Sequence, residues 1–421
     1  MKRVLVITYN WPSSGGIGVQ RWLKFSKHLP SYGWEPVILT VDPEYATYPA
    51  TDKSLTAEIP PVEVHFTKAV DWFRLLTSDK SKVPSSGFAT NTGNSFKDRL
   101  SRFIRGNFFI PDPRRGWNRF AFKKACGIIE SQKIDRIITT SPPHSTQLIG
   151  YRLKKKYPGI KWIADLRDPW TDIYYYKKFY PTPLSRMIDS SWERKVLQSA
   201  DIITTVGKSL KKLLESKVNG IEKNIHIVSN GYDEDDFKGI AAGLPEIFTI
   251  SYIGSLSATQ PVDGFLHALG IIAGKGISYR LSFTGPVPPE IREKLSRGAG
   301  ESNISFTPFS SHPTALSNML NSSALLLVIP DHESSRSIIT GKMFEYLAAG
   351  RPVICLAPTD GDAAAILAET GHGRTFDYND AEGIAGYLEE LSLKRHNSAM
   401  PPPESYSRKN IVKSVAELLE R

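Results

Sequence analysis

Thirteen short runs of β-branched and aliphatic residues recur along the chain, separated by segments of which most are long enough for a helix. This spacing constrains the fold more than any other feature. The runs cover residues 4–8, 36–40, 62–66, 134–139, 161–165, 202–206 and 225–228 in the first half, and 248–253, 279–283, 304–306, 324–329, 352–356 and 373–376 in the second. They are continuous, not alternating, which is the pattern of strands buried on both faces. Such strands belong to parallel sheets covered by helices. A chain of 421 residues exceeds what one hydrophobic core organises, so the pattern predicts two doubly wound α/β domains.

Strand periodicity lapses over residues 230–244, which are polar and contain glycine, and resumes at Phe248. The expected domains are therefore 1–238 and 248–403. A proline-rich segment, 398–405, reads as an extended crossing. Behind it Ile411, Val415, Leu418 and Leu419 form a helical stripe, so 405–421 is expected to return to the first domain and cover an apolar surface there. One excursion, 77–124, interrupts the first domain. Its opening part is rich in Ser, Thr, Gly and Asn and reads as mobile, and residues 96–124 hold nine basic side chains against two acidic ones.

Hydrophobic residues make up 40% of the chain and charged ones 23%, which excludes a disordered or fibrous protein. The first apolar run is too short for the core of a signal peptide and no run approaches a spanning helix, so a soluble or at most peripheral protein is expected. Cys126 and Cys355 stand far apart, leaving neither a disulfide framework nor a thiolate zinc site, and this favours the cytoplasm. The net charge of +10 is uneven: residues 1–204 hold 32 Lys and Arg against 18 Asp and Glu, residues 205–421 hold 21 against 25. Nucleic acid, an anionic membrane surface or a phosphorylated ligand would each account for the basic half.

Two glycine-containing turns carry chemistry. Gly15, Gly16 and Gly18 precede a helix after the first strand, where backbone N–H groups and the helix dipole favour an anion. With Asp42 they superficially match a dinucleotide fingerprint, but Arg21 stands at the third glycine's place and the loop is too long, which argues against a nicotinamide-dependent oxidoreductase. In the second half, Thr340 and Gly341 open a short helix with Lys342 in its first turn and Glu345 one turn on. That arrangement offers N–H groups and an ammonium to phosphate and a carboxylate to a ribose diol; a capped helix with a solvated Lys–Glu pair has the same spacing.

The run Lys342-x-x-Glu345-Tyr346-Leu347-Ala348-x-Gly350-x-Pro352-Val353 resembles the donor-nucleotide motif of GT-B fold glycosyltransferases, particularly glycosyltransferase family 4. Glu193, Ala200-Asp201-Ile202-Ile203, Val228-Ser229-Asn230-Gly231-Tyr232-Asp233 and Phe237 continue the likeness upstream. Thr139-Thr140-Ser141-Pro142-Pro143-His144-Ser145 and Asp165-Leu166-Arg167-Asp168-Pro169-Trp170 resemble a subgroup that makes bacterial surface polysaccharides. The resemblance implies two Rossmann-like doubly wound domains facing across a cleft, with the C-terminal helix returning to the first. It implies a retaining transfer of a hexose-type sugar from a nucleoside-diphosphate donor to an acceptor hydroxyl.

On this reading Gly16, Gly18, Gly254, Ser255, Thr340, Gly341, Lys342 and Glu345 bind the donor. Asp168 and His144 are the catalytic candidates, and Arg21, Asp165 and Arg167 lie on the acceptor side. Asp168 precedes proline in a loop after a buried strand, so it is extended and can aim its carboxylate at a ligand; the alternative is a structural network around Arg167. Three departures stand out. Ser337 occupies the place of a family glutamate, and Ser255 and Gln260 replace an arginine and a lysine, so Lys342 and Arg336 must carry the diphosphate. Asp233-Glu234-Asp235 matches an Asp-x-Asp metal motif formally but reads as solvated acid, so neither metal nor cofactor is expected.

The expected partners are a nucleotide-sugar donor, a lipid-linked or saccharide acceptor and an anionic membrane surface. Phe96, Leu100, Phe103 and Ile104 recur at helical spacing among Lys97, Arg99, Arg102 and Arg105, which suits docking on the inner face of a membrane; closing the first domain's core is the alternative use of that stripe. A non-catalytic nucleotide- or nucleic-acid-binding protein would also be basic, but no nucleic-acid recognition motif accompanies the charge.

Overall fold

The computed structural model describes residues 1–15, 17–48, 51, 54–70, 72, 95–220, 224–308, 310–394 and 399–421. Gly16 and the stretch 77–94 of the basic excursion lie outside the described residues. The chain divides into two units, Met1–Ser229 with Arg408–Arg421, and Asn230–Ser407.

The first unit is built on seven parallel strands: β1 (Lys2–Ile7), β2 (Trp34–Val41), β3 (Glu63–Thr67), β4 (Arg136–Ser141), β5 (Lys161–Leu166), β6 (Ile202–Thr205) and β7 (Ile225–Ile227). They lie in the order β3-β2-β1-β4-β5-β6-β7. The second unit has six: β8 (Phe248–Ile253), β9 (Tyr279–Thr284), β10 (Ile304–Thr307), β11 (Ala324–Val328), β12 (Val353–Leu356) and β13 (Gly373–Phe376). Their order is β10-β9-β8-β11-β12-β13, again all parallel. All thirteen strands fall where the apolar runs predict them. Each sheet reverses its winding beside its first strand, between β1 and β4 and between β8 and β11, and the carboxyl ends at such a reversal are where open α/β sheets hold ligands.

The central strands of each sheet are buried on both faces, which is why their runs are continuous. On β1, Leu5 and Ile7 pack with Val37, Leu39, Trp117 and Trp162, whereas Val4 and Val6 pack with Trp22, Phe25 and Leu419 on the opposite face. On β11, Leu326 and Val328 join one core, Leu325 and Leu327 the other. Helix Arg408–Glu420 buries Ile411, Val412, Val415, Leu418 and Leu419 in the same cluster as Val4, Val6 and Trp22, and Arg136 Nε donates to the Leu419 carbonyl at 2.9 Å.

One polar group sits inside the first unit. Asp165, near the end of β5, is fully buried and accepts from Arg21 twice, Nε to Oδ2 at 3.1 Å and Nη2 to Oδ1 at 2.9 Å. Trp22 Nε1 (3.0 Å) and Thr140 Oγ1 (2.8 Å) donate to Oδ2, and Thr204 Oγ1 (2.8 Å) donates to Oδ1. These donors come from helix Ile17–His28, from β4 and from β6, so the carboxylate ties four elements together. Burial alone would raise its pKa. The charges of Arg21 and Arg167, with hydrogen bonds from Arg21 and Trp22, outweigh burial and hold it below the usual carboxylate value.

Asp165→Asn keeps the shape but leaves the Arg21 guanidinium buried without its counter-charge. We expect a loss of roughly 3–5 kcal/mol in urea unfolding, the usual result of breaking a buried pair from one side; an unchanged midpoint would show that the pair carries no weight.

Candidate functional site

In the second unit, helix Gly341–Ala349 starts beyond the carboxyl end of β11 and is stopped by Gly350, whose φ of 66° only glycine adopts readily. Thr340 is its N-cap residue, makes no side-chain cap bond, and has a buried hydroxyl with no hydrogen-bond partner among the described residues. Lys342 lies in the first turn. Its ammonium sits 2.8 Å from Tyr252 Oη and 4.1 Å from the centroid of the Tyr252 ring.

Tyr252 is buried near the end of β8 and its hydroxyl is fully committed. It donates to the Ser255 carbonyl at 2.8 Å and accepts from Lys342 and from Gln260 Nε2 at 3.2 Å. Gln260 is buried too, donating to the Val328 carbonyl at 2.6 Å and accepting from Ser257 N at 2.7 Å. Gln260, standing where the family resemblance expects a cation, thus supports the residue that supports Lys342. Gly254 has φ of 114°, and a Cβ there would come within 3.0 Å of Lys342 Nζ; a Cβ on Gly285 (φ 123°) would meet the Gly254 carbonyl oxygen at 2.6 Å. Two glycines therefore let the ends of β8 and β9 close up beside the ammonium.

Glu345 is partly exposed, with Oε1 3.1 Å from His312 Nε2 at the start of helix His312–Leu320. Gly254, Ser255, Thr340, Gly341, Lys342 and Glu345 are thus the predicted donor residues that the structure describes in this unit, with Tyr252, Gln260 and His312 around them. Arg336, expected to help carry a diphosphate, has Nε 2.9 Å from both carboxylate oxygens of Asp360. The acidic run is corrected in one respect: Asp233 is not solvated but 1% exposed, because its Oδ1 accepts from Asp235 N at 3.2 Å and caps a short 3-10 turn. Among the described residues no group of three His, Cys, Asp or Glu side chains is placed to hold a metal ion.

In the first unit the predicted residues divide. Arg21 and Asp165 form the buried network described above. Arg167 donates from Nε to the Ser141 carbonyl at 3.0 Å and from Nη1 to the Gly18 carbonyl at 3.1 Å, fastening the end of β4 to the start of helix Ile17–His28. Asp168 is half-buried and its carboxyl is raised by burial, with only the charge of Arg167 opposing. His144, in the turn after β4, stacks on Trp170 with centroids 5.0 Å apart and planes at 14°. Both its ring nitrogens are buried. Burial, helped by the charges of Lys217 and Arg167 and opposed by a backbone contact with Pro169, pushes its pKa down to about 3, so the ring is neutral.

A chain with two Rossmann-like units and a cationic helix start beside glycine-bearing strand ends is of the GT-B glycosyltransferase class, and comparison with known proteins agrees. Residues 18–236 match the family model described as Glycosyltransferase Family 4, and residues 247–393 match that described as Glycosyl transferases group 1. The chain belongs to glycosyltransferase family 4. Among solved structures it is similar to TarM (10% identity, TM-score 0.61, covering 100% of this chain and 99% of that one) and to the apo lipopolysaccharide outer core galactosyltransferase WaaB (13%, 0.60, 100% of both). It is also similar to HepE from Anabaena in complex with UDP and glucose (12%, 0.59, 100% of both). At these identities the likeness shows the fold. No curated protein matches the sequence.

The His144 ring should stay neutral from pH 5 to pH 8. Its folded pKa is depressed, so the stability it contributes is complete above about pH 6.5 and is lost as pH falls towards 3. In NMR of histidine-labelled protein, the one ring signal removed by His144→Gln should not move across pH 5–8; a midpoint near 6.5 would place the ring in water.

Proposed function

We propose that the protein transfers a hexose from a nucleoside diphosphate to an acceptor hydroxyl with retention of configuration and without a metal ion, in the synthesis of a cell-surface polysaccharide or glycolipid. The observation that carries this is Lys342: an ammonium pinned by Tyr252 in the first turn of a helix, beside the free Thr340 hydroxyl and a glycine-lined strand end. Such a place suits the leaving diphosphate, because charge developing there meets fixed donors and a helix dipole and no reorganisation is needed. Glu345, one turn further, would take the ribose hydroxyls. HepE is a UDP complex, which supports UDP as the nucleotide.

On the acceptor side we assign Asp168, a half-buried carboxyl raised by burial, to the incoming hydroxyl, with the neutral His144 ring as a wall of that site. Retention follows if a phosphate oxygen of the leaving group takes the acceptor's proton while attack comes from the same face. The acceptor is lipid-linked or a saccharide, and the enzyme works as a cytoplasmic protein held peripherally at the inner face of a membrane. No described helix is long and apolar enough to cross a membrane. Helix Phe96–Phe108 has no buried residue, with Phe96 80% and Phe108 69% exposed, so its apolar stripe does not close the core; Lys97 flanks the stripe, while the Arg99 and Arg102 guanidinium groups lie 5.9 and 5.8 Å from the Tyr180 ring and that of Arg105 4.2 Å from the Phe179 ring.

The reading is tested by hydrolysis of UDP-glucose, UDP-galactose, UDP-N-acetylglucosamine and GDP-mannose in EDTA, with the product anomer followed by NMR. One donor should turn over. Lys342→Ala should raise the dissociation constant of that donor's nucleoside diphosphate about 10- to 150-fold, the loss of a charged hydrogen bond of ~1.5–3 kcal/mol, and change that of the bare nucleoside little. Equal losses for both ligands, or a requirement for Mg²⁺, would overturn the phosphate role.

For the membrane, anionic vesicles should sediment the protein at low salt and release it near 1 M, where the screening length falls to about 3 Å. Replacing Arg99, Arg102 and Arg105 with Glu should abolish sedimentation; wild-type protein that ignores the vesicles would favour a soluble acceptor.

A further inference from the structure

Helix Pro183–Ser199 carries two buried acids one turn apart, Asp189 and Glu193. They reach two successive residues of the segment that follows Asp168. Trp170 Nε1 donates to Asp189 Oδ1 at 2.7 Å, and Thr171 Oγ1 donates to Glu193 Oε2 at 2.6 Å. Glu193 has a cation, Lys217 Nζ at 2.7 Å, which also donates to Thr171 Oγ1 at 2.8 Å. For Asp189 no ion pair is formed among the described residues. Its carboxyl is pushed up to about 6 by burial, with hydrogen bonds from Trp170 and Tyr176 opposing and the charges of Glu193 and Asp112 adding.

An acid that is costly to charge contributes little to stability where it lies, since an apolar side chain of similar size would fill the space at lower cost. What it does do is aim. The Trp170 indole that it holds is buried, and its ring is the plate on which His144 stacks. Two residues earlier in the same segment stands Asp168.

We propose that Asp189 is a positioning residue: by holding the Trp170 indole it fixes both the segment that carries Asp168 and the surface that seats His144. This rests on the acceptor-side reading of Asp168 given above. Trp170 and Tyr176 from the segment, Glu193 from the same helix and Asp112 from the turn before Pro113 are the groups that face it, Lys217 acts through Glu193, and Arg186 acts through Tyr176.

The test uses the full chain and two readouts, deuterium uptake over residues 166–176 and the kinetics of UDP-sugar hydrolysis with the donor that the panel selects. Asp189→Ala should speed exchange in that segment about tenfold and lower kcat about tenfold, with donor KM within twofold. Asp189→Asn, whose Oδ1 can still accept from the indole, should restore both to within about threefold. Trp170→Phe keeps a ring for His144 but removes the donor, so it should behave like Asp189→Ala and serves if that variant does not fold. Unchanged exchange in Asp189→Ala, faster exchange with unchanged kcat, an Asn variant as impaired as Ala, or a donor KM that rises as kcat falls would each overturn the proposal. Wild-type protein inert to every donor would instead sink the transferase reading, and the exchange comparison alone would then decide whether Asp189 anchors the segment.

Discussion

A carboxylate with no water around it dictates much of the first unit. Asp165 could not remain ionised at the end of β5 unless donors were brought to it, and the donors it recruits come from the neighbouring strands on both sides and from the helix after β1. Parallel strands have no hairpins to fix their ends, so their relative heights depend on side-chain contacts such as these. Thr140 stands just before the turn that carries His144, and Asp165 just before Arg167 and Asp168. The network therefore sets the starting point of each segment that leaves the carboxyl edge, and Arg167 extends it by fastening Ser141 to Gly18.

The second unit solves the same problem with a neutral group. Tyr252 has one proton to give and two lone pairs to offer, and the structure uses all three, on Ser255, Lys342 and Gln260. Because the proton is committed to the Ser255 carbonyl, the hydroxyl can only accept from Lys342. A neutral organiser leaves the ammonium as the dominant charge at the helix start; a carboxylate in its place would have cancelled it.

How much of this was legible in the sequence follows from the range over which each signal acts. Strands buried on both faces are written as unbroken apolar runs, so all thirteen could be placed, with ends moving by a residue or two where polar residues such as Lys2 and Glu35 continue a ladder. Gly341, Lys342 and Glu345 were legible because one helix turn holds them together. Tyr252 was not, since an aromatic residue in a strand looks like core until its hydroxyl is seen to have partners. His312 comes from another helix 33 residues upstream of Glu345, and no local pattern links the two. The Asp233 expectation failed because a backbone cap two residues on, which composition does not reveal, draws the carboxylate inwards. Asp189 and Glu193 did carry a signal: they continue the buried face of Val196 and Leu197, and acids on an apolar face call for a partner elsewhere.

The replacement of two expected cations by Ser255 and Gln260 then acquires a physical meaning. A lysine on a flexible stem loses rotamer freedom when it grips a phosphate, and that loss offsets part of the attraction. Here the stem is already held, by the Tyr252 ring beneath it and by the hydroxyl in front of it, and Gln260 keeps the hydroxyl in place from within the core. Fewer cations whose positions are fixed in advance can match more cations that must be ordered on binding. The arrangement also bears on residue 254: its φ of 114° disfavours any side chain, and a Cβ would stand 3.0 Å from Lys342 Nζ, so a substitution there would also displace the end of the lysine. Backbone conformation at the end of β8 and the position of the ammonium are therefore a single constraint, met by one residue.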